Sequence, residues 1–264
     1  MIFDTATLTD PGMVRENNED SSFVMETSLP VTSEPVSVGI YIVADGMGGH
    51  QAGEVASKMA VQIISTTLFD RFKEVDGITS PSLLIEEAFH KANAEVYARA
   101  LINPLLSSMG TTVTLGLRLD DRLYLGHVGD SRTYIIRGGG IKQLTEDHSV
   151  VAQLLKAGMI TQEEAKTHPD QGKILRCLGT STEIAIDTYS RSRKKDYLTL
   201  QNGDSLVFCT DGLTIHVTDD EIFDCVQIGG AADNICRNLI LLANSRGGKD
   251  NISLIVIKVK AKNI

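Results

Sequence analysis

No Cys-x-x-Cys pair and no framework of closely spaced cysteines occurs in this sequence, whose four cysteines are Cys177, Cys209, Cys225 and Cys236. They read as small, buried residues of a reducing compartment, which excludes a disulfide-stapled fold. No apolar run reaches the roughly 18 residues needed to span a bilayer, and Met1-Ile2-Phe3-Asp4-Thr5 lacks the basic n-region of a secretory leader. A cytoplasmic, soluble protein is expected. Basic charge is also scarce: the formal net charge is -9, which works against nucleic acid or an anionic membrane surface as partner, since both attract basic patches. The short run Arg191-Ser192-Arg193-Lys194-Lys195 reads as an exposed loop face. Internal repeats, low-complexity tracts and linkers are missing as well. The 264 residues, 42% of them hydrophobic, are therefore expected to form one domain over 1–264 with a sizeable core.

Aspartate beside small residues, at the edges of apolar runs, is what the sequence does contain. Asp20 lies in Arg15-Glu16-Asn17-Asn18-Glu19-Asp20, Asp45 in Val43-Ala44-Asp45-Gly46-Met47-Gly48-Gly49-His50, and Asp130 in Gly129-Asp130-Ser131-Arg132. Asp211 lies in Thr210-Asp211-Gly212 and Asp250 in Gly248-Lys249-Asp250-Asn251. A carboxylate just past the end of a buried strand stands on a rigid support, and the adjacent glycines let backbone or ligand come close. Several such ends gathered in space would make an all-oxygen cage, which suits Mg²⁺ or Mn²⁺ better than zinc. Taken singly, each of these aspartates is more ordinarily a turn or helix-cap residue.

Strands are expected at Val38 to Ala44, Thr111 to Leu117, Arg122 to His127, Thr133 to Arg137, Ser205 to Cys209 and Asn251 to Lys258. Asp120-Asp121 reads as a tight turn between two of them. Helical spacing of Val55, Met59, Ile63, Ile64, Leu68 and Phe72 predicts a helix from about 54 to 72. A second begins at Ser80-Pro81 and buries Leu84, Ile85, Ala88, Ala92 and Val96. Thr218-x-x-Glu221 opens a short helix by the capping-box rule, and Ala231 to Arg246 forms another that stops at Gly247-Gly248. Strands and helices do not alternate as in a parallel sheet, so an α+β fold of antiparallel sheets with helices packed outside is expected. Residues 147–179 look like an excursion from it, with a short helix from Ser149, a stop at Gly158 and a capping box at Thr161-x-x-Glu164.

Together these motifs resemble the metal-dependent protein phosphatases of type 2C, in their bacterial form, from Thr9-Asp10-Pro11-Gly12 to Gly248-Lys249-Asp250-Asn251-Ile252. The resemblance implies a four-layer α-β-β-α sandwich of two antiparallel sheets, with 147–179 as a flap beside the active site. It implies a serine/threonine phosphatase with two Mn²⁺ or Mg²⁺ ions in a core site and a third, weaker one. Asp45 matches the carboxylate that bridges two metals, Gly46 the glycine whose carbonyl ligates one, and Asp211 and Asp250 the other direct ligands. Asp20 matches a carboxylate that holds metal-bound water, and Asp130 one that joins the Asp211 position around the third ion. Arg15 matches the arginine that clamps the substrate phosphate, a role suited to a planar fork of donors.

The implied chemistry is in-line attack of a metal-bridging hydroxide on the phosphomonoester, with no protein nucleophile. In agreement, the chain lacks a Cys-x5-Arg loop, a Gly-x-Ser-x-Gly elbow and an Asp-x-Asp start. Met47 stands where eukaryotic relatives carry a histidine proposed as general acid, which leaves His50 or a metal-bound water for that part. His168-Pro169-Asp170-Gln171-Gly172 departs from the His-Pro-x-Arg-Asn of bacterial relatives, a difference expected to bear on substrate preference. His90, His127 and His216 are taken as structural, and His148 and His168 as flap residues. The implied partners are phosphorylated proteins and a bacterial serine/threonine kinase, with the chain acting as a monomer. Two other readings are a regulator of the same fold that does not turn over, and a metal-dependent phosphodiesterase or nuclease, against which the acidic balance weighs.

Overall fold

Runs such as Val38 to Ala44 and Leu254 to Ile257 are apolar at every position because both faces of their sheets are covered. The computed structural model describes residues 1–29, 35–48, 51–72, 80–189 and 195–261. Along the chain lie β1 (Ile2–Asp10), β2 (Asp20–Leu29), β3 (Val36–Met47), α1 (Ala52–Phe72), α2 (Pro81–Ile102), β4 (Gly110–Thr111), β5 (Val113–Leu119), β6 (Arg122–Val128), β7 (Arg132–Arg137) and β8 (Gly140–Gln143). They are followed by α3 (Val150–Lys156), α4 (Gln162–Ala165), β9 (Asp187–Thr188), β10 (Leu198–Thr199), β11 (Ser205–Cys209), α5 (Asp211–Thr214), α6 (Asp219–Ile228), α7 (Ala232–Ser245) and β12 (Ile252–Lys260). One antiparallel sheet runs β1-β12-β11-β7-β8 and the other β10-β6-β5-β3-β2, with β4 added to β3 and β9 to β6.

The period-two alternation of the strands sorts their side chains into three cores. Tyr41, Val43, Leu206, Phe208, Ile255 and Ile257 fill the space between the sheets. Ile40, Ile42 and Ala44 of the same β3 point the other way, onto α1 and α2, and Val207, Leu254 and Val256 point onto α6 and α7. The result is an α+β sandwich of two antiparallel sheets flanked by helices.

Most expected elements are found; the short β8, β9, β10 and α5 were not expected, and two larger differences stand beside them. β1 and β2 were not expected: their half-polar strands, with Thr5, Thr7 and Thr9 in β1, are only partly buried and give no apolar run. The buried line of α1 is Ala52, Ala56, Ala60, Ile64 and Leu68, while Val55, Met59 and Ile63 pack only partly buried at its flank. Small residues on that line let the helix start close to β3. A Cβ on Gly46 would lie 2.1 Å from the Gly53 carbonyl oxygen, so neither glycine can carry a side chain there. The Asp120-Asp121 turn joins β5 to β6 with Asp120 at φ 52°, a left-handed conformation that aspartate tolerates.

The connection from β8 to β9 carries α3 and α4. The Ser149 side chain caps α3 by accepting from the Ala152 N–H, Gly158 follows at φ +67°, and Thr161 and Glu164 form the reciprocal capping box at α4. No helix among the described residues is long and apolar enough to cross a membrane.

Candidate active site

The five aspartates all reach one end of the sandwich. Asp20 and Asp45 face each other in register on β2 and β3, so the antiparallel pairing alone brings two carboxylates together. Asp130 follows β6, Asp211 follows β11 as the first residue of α5, and Asp250 precedes β12. Thr210 stitches the two sheets at this rim. Its hydroxyl donates to Asp20 Oδ2 at 2.8 Å and accepts the Ser253 N–H at 2.9 Å. The Asp45 N–H donates to Thr112 Oγ1 at 3.0 Å, and the Asp45 carbonyl accepts from Thr111 Oγ1 at 2.9 Å. Gly46 stands beside Asp45, its N–H donating to the Glu19 carbonyl at 3.2 Å.

These carboxylates lack the partners that buried acids normally have. The Oδ1 atoms of Asp20, Asp130 and Asp211 are buried without a hydrogen-bond partner. Burial, together with the neighbouring Asp211 and Asp250, pushes the Asp20 carboxyl up to about 7. Burial and Asp250 raise Asp211 to about 6, against the opposing pull of a hydrogen bond with Asp45 and the charge of Arg132. Asp45 is held well above the usual carboxylate range by burial and by Asp20, Asp211, Asp130 and Asp250, and Asp130 by burial, Asp211 and Asp147. Mutual repulsion of this kind is what a bound cation would relieve. Oxygen-only donors of this number fit Mg²⁺ or Mn²⁺. Among the described residues no three acidic, histidine or cysteine side chains stand at mutual ligating spacing.

Arg15 is half-exposed on the loop before β2, and its Nη2 lies 2.8 Å from Asp250 Oδ2. That contact holds the guanidinium pKa above its ordinary value. The arginine expected on a substrate phosphate therefore rests on one of the expected metal ligands. Asn251, which the sequence offered no role, anchors this loop from the buried side. Its Oδ1 accepts the Glu19 N–H at 2.8 Å, and its Nδ2 donates to the Pro11 and Asn17 carbonyls, both at 2.9 Å. A Cβ on Gly12 would lie 2.3 Å from the Asp250 carbonyl oxygen, so the loop crosses the strand end with no room for a side chain. Adjacency to Asp250 was the only sequence signal for Asn251, and adjacency to Asp211 the only one for Thr210.

Beyond Asp130 and Asp211 a groove opens under α3 and α4, lined by Arg132, Ser149, Lys166 and Thr214 among others. Asp147 also lines it, His148 lines a neighbouring cavity with Glu146, Leu175 and Arg176, and His168 sits in the turn after α4, its Nδ1 accepting the Asp170 N–H at 3.1 Å. His216 accepts the Lys249 N–H at 3.0 Å, a structural contact that fixes the approach to Asp250. Gly49, His50 and residues 191–194 lie outside the described residues.

The model of the family described as protein phosphatase 2C matches residues 11–154. The serine/threonine phosphatase stp of Listeria welshimeri is 34% identical over 95% of this chain and 93% of its own length. The solved structure of the S. agalactiae serine/threonine phosphatase superposes with a TM-score of 0.85 at 32% identity, covering 98% of this chain and 100% of that one. The catalytic domain of the phosphatase PstP, solved in complex with 2 manganese ions, does so with a TM-score of 0.80 at 32% identity over 98% and 99% of the two chains.

Proposed function

The chain belongs to the protein phosphatase 2C family, and from that premise we propose how its residues divide the work of a metal-dependent serine/threonine protein phosphatase. Asp45, Asp211, Asp250 and the Gly46 carbonyl would hold two divalent ions, Asp20 would act on them through water, and Asp130 would join Asp211 at a third. Bound Mn²⁺ or Mg²⁺ supplies Lewis-acid activation of water and neutralises charge on the phosphate. The observation that carries this reading is the set of buried, partnerless Oδ1 atoms on Asp20, Asp130 and Asp211.

Arg15 supplies the substrate contact. Exposed and held by a single ion pair, it can exchange the Asp250 carboxylate for a phosphate oxygen without unpacking anything. Thr210 and Thr112 keep Asp20 and Asp45 in place while charge at the rim changes. The substrates are read as phosphoserine and phosphothreonine in proteins, made by a kinase in the same compartment. The four free cysteines accord with a reducing cytoplasm. Residues 147–179 are read as a flap whose groove meets the polypeptide around the phosphate, within a single domain.

The test is release of inorganic phosphate from a phosphothreonine peptide. Activity is expected to vanish in excess chelator and to return with Mn²⁺. Full turnover in chelator would overturn the reading.

A further inference from the structure

Two consecutive residues, Asp147 and His148, grip the turn that carries Asp130 on both of its flanks. His148 takes the leading flank: its backbone N–H donates to the Gly129 carbonyl at 2.7 Å, and its ring Nδ1 accepts the Gly129 N–H at 3.1 Å. Asp147 takes the trailing flank, accepting from Arg132 Nε at 3.0 Å and from Arg132 Nη2 at 2.7 Å. Arg132 is thus fixed by a two-pronged carboxylate contact rather than left free for the groove.

The turn has little slack of its own. Gly129 sits at φ +117°, and a Cβ there would lie 2.4 Å from Thr112 Cβ, so the chain presses against Thr112, the residue between β4 and β5. The Ser131 hydroxyl lies 2.9 Å from that of Thr112, in hydrogen-bond contact. Between these fixed points Asp130 is only 6% exposed, and its Oδ1 touches no donor. The carboxylate therefore inherits its position from the turn, and the turn from Asp147 and His148.

The ring of His148 is itself held from the far side. With Nδ1 accepting the Gly129 N–H, Nε2 faces both Arg176 Nη1 at 3.1 Å and Asp187 Oδ2 at 3.3 Å, and Arg176 Nη1 donates to the other oxygen of Asp187 at 3.0 Å. The His148 carbonyl accepts the Leu175 N–H at 2.7 Å, and the next residue, Ser149, caps α3. The contacts that fix Asp130 are therefore continuous with both ends of the segment that covers the groove.

We propose that Asp147 and His148 are positioning residues for Asp130, holding its turn by Arg132 and Gly129 so that its carboxylate stands ready for a weakly bound divalent ion and is coupled to the segment over the groove. This rests on the reading of Asp130 as a ligand of a third ion. Groups that orient ligands from behind typically change metal affinity or activity by about 10- to 100-fold when removed.

The test combines Mn²⁺ binding by titration calorimetry with p-nitrophenyl phosphate turnover. His148→Leu keeps the ring's volume but removes the acceptor for the Gly129 N–H, and it is expected to weaken the loosest class of Mn²⁺ by about tenfold, leaving tightly held ions and KM near those of the parent. His148→Asn returns an acceptor oxygen close to the Nδ1 position and should recover most of the loss. Arg132→Lys keeps the charge but not the two-pronged grip, and it should weaken the same class even if His148→Leu does not fold. Combined with Asp130→Ala, neither change should add a further loss, because all act on one carboxylate. If Asp130→Ala abolishes the weak class while His148→Leu and Arg132→Lys bind Mn²⁺ like the parent, the positioning role is refuted. If Asp130→Ala leaves the weak class intact, the reading of Asp130 fails and the positioning role with it.

Discussion

Two largely buried polar clusters lie side by side at the active-site end of the sandwich, each with members that reach the surface, and they are built on opposite terms. In the cluster of Thr114, His127, His148, Arg176 and Asp187 every side chain has a hydrogen-bond or ion-pair partner within the cluster. His127 Nδ1 lies 2.9 Å from Thr114 Oγ1, its Nε2 lies 3.1 Å from the Glu146 carbonyl, and its ring stacks against His148 at 4.9 Å between centroids. In the aspartate cluster the acids face one another, three of them with a buried oxygen that has no partner. A matched network of this kind fixes the geometry around it, whereas an unmatched set of one sign lowers its free energy only by gaining a counter-charge. The difference separates residues that hold the site from residues that use it.

The largest break in this comparison is expected from removing acids of the repelling cluster that are read as direct metal ligands. Asp45→Ala with Asp250→Ala should lower phosphatase turnover by about 10³-fold or more, since the Lewis-acid contribution of bound metal amounts to several kcal/mol. The same double change should raise the melting temperature of the metal-free protein, because it takes two carboxylates out of a repelling set. A fall in stability equal to that of an ordinary core substitution would show that the acids are held by something other than a cation.

Arg15 tests the exposed side of the same cluster. Arg15→Ala should reduce kcat/KM for a phosphopeptide by about 10- to 100-fold, the worth of a charge-assisted hydrogen bond. Its effect on stability should be within about 0.5 kcal/mol, as the pair with Asp250 is open to water. Asn251 predicts the reverse pattern. Replacement by Ala leaves the Glu19 N–H and the Pro11 and Asn17 carbonyls without their partner in a part-buried place, which should cost about 1–3 kcal/mol by chemical denaturation. Activity should then fall only as far as the loop that carries Arg15 loosens.

This contrast also explains what the sequence made legible. The five aspartates announce themselves because each stands beside small residues where an apolar run ends, and the layered fold follows from where those runs and the helical stripes lie. Asn251, Thr210 and His148 act through contacts across 232, 190 and 19 positions respectively, and beyond adjacency to an aspartate or a place in the flap nothing in their own neighbourhoods marks these roles. β1 stayed hidden because its threonines offer no apolar run, and the buried face of α1 because alanine and glycine at a tight helix–sheet contact carry little hydrophobic signal beside Val55, Met59 and Ile63. The ion pair of Arg15 with Asp250 was illegible for a further reason: the resemblance implies for both residues partners that are not protein.

The smallest expected effect, and the sharpest separation of the two clusters, is a matter of pH. Burial, with the neighbouring His148, lowers the His127 pKa to about 4, below the ordinary value near 6.5. Between those values the unfolded chain binds a proton that the folded one does not, so His127 makes stability fall as pH is lowered, by up to about 1 kcal/mol per unit. The raised carboxyls of Asp20 and Asp211, near 7 and 6, act in the opposite sense in metal-free protein. There the folded chain keeps protons that the unfolded one has released above about 4, so stability is lost as pH rises through the same window. His127→Gln leaves the acids untouched and can still donate to the Glu146 carbonyl. The parent-minus-variant difference in unfolding free energy should therefore shrink as pH drops from 6.5 to 4.5, by urea titration in chelator. A difference that is flat with pH would mean that His127 is already protonated in the folded protein, and that the matched cluster carries a charge its geometry does not require.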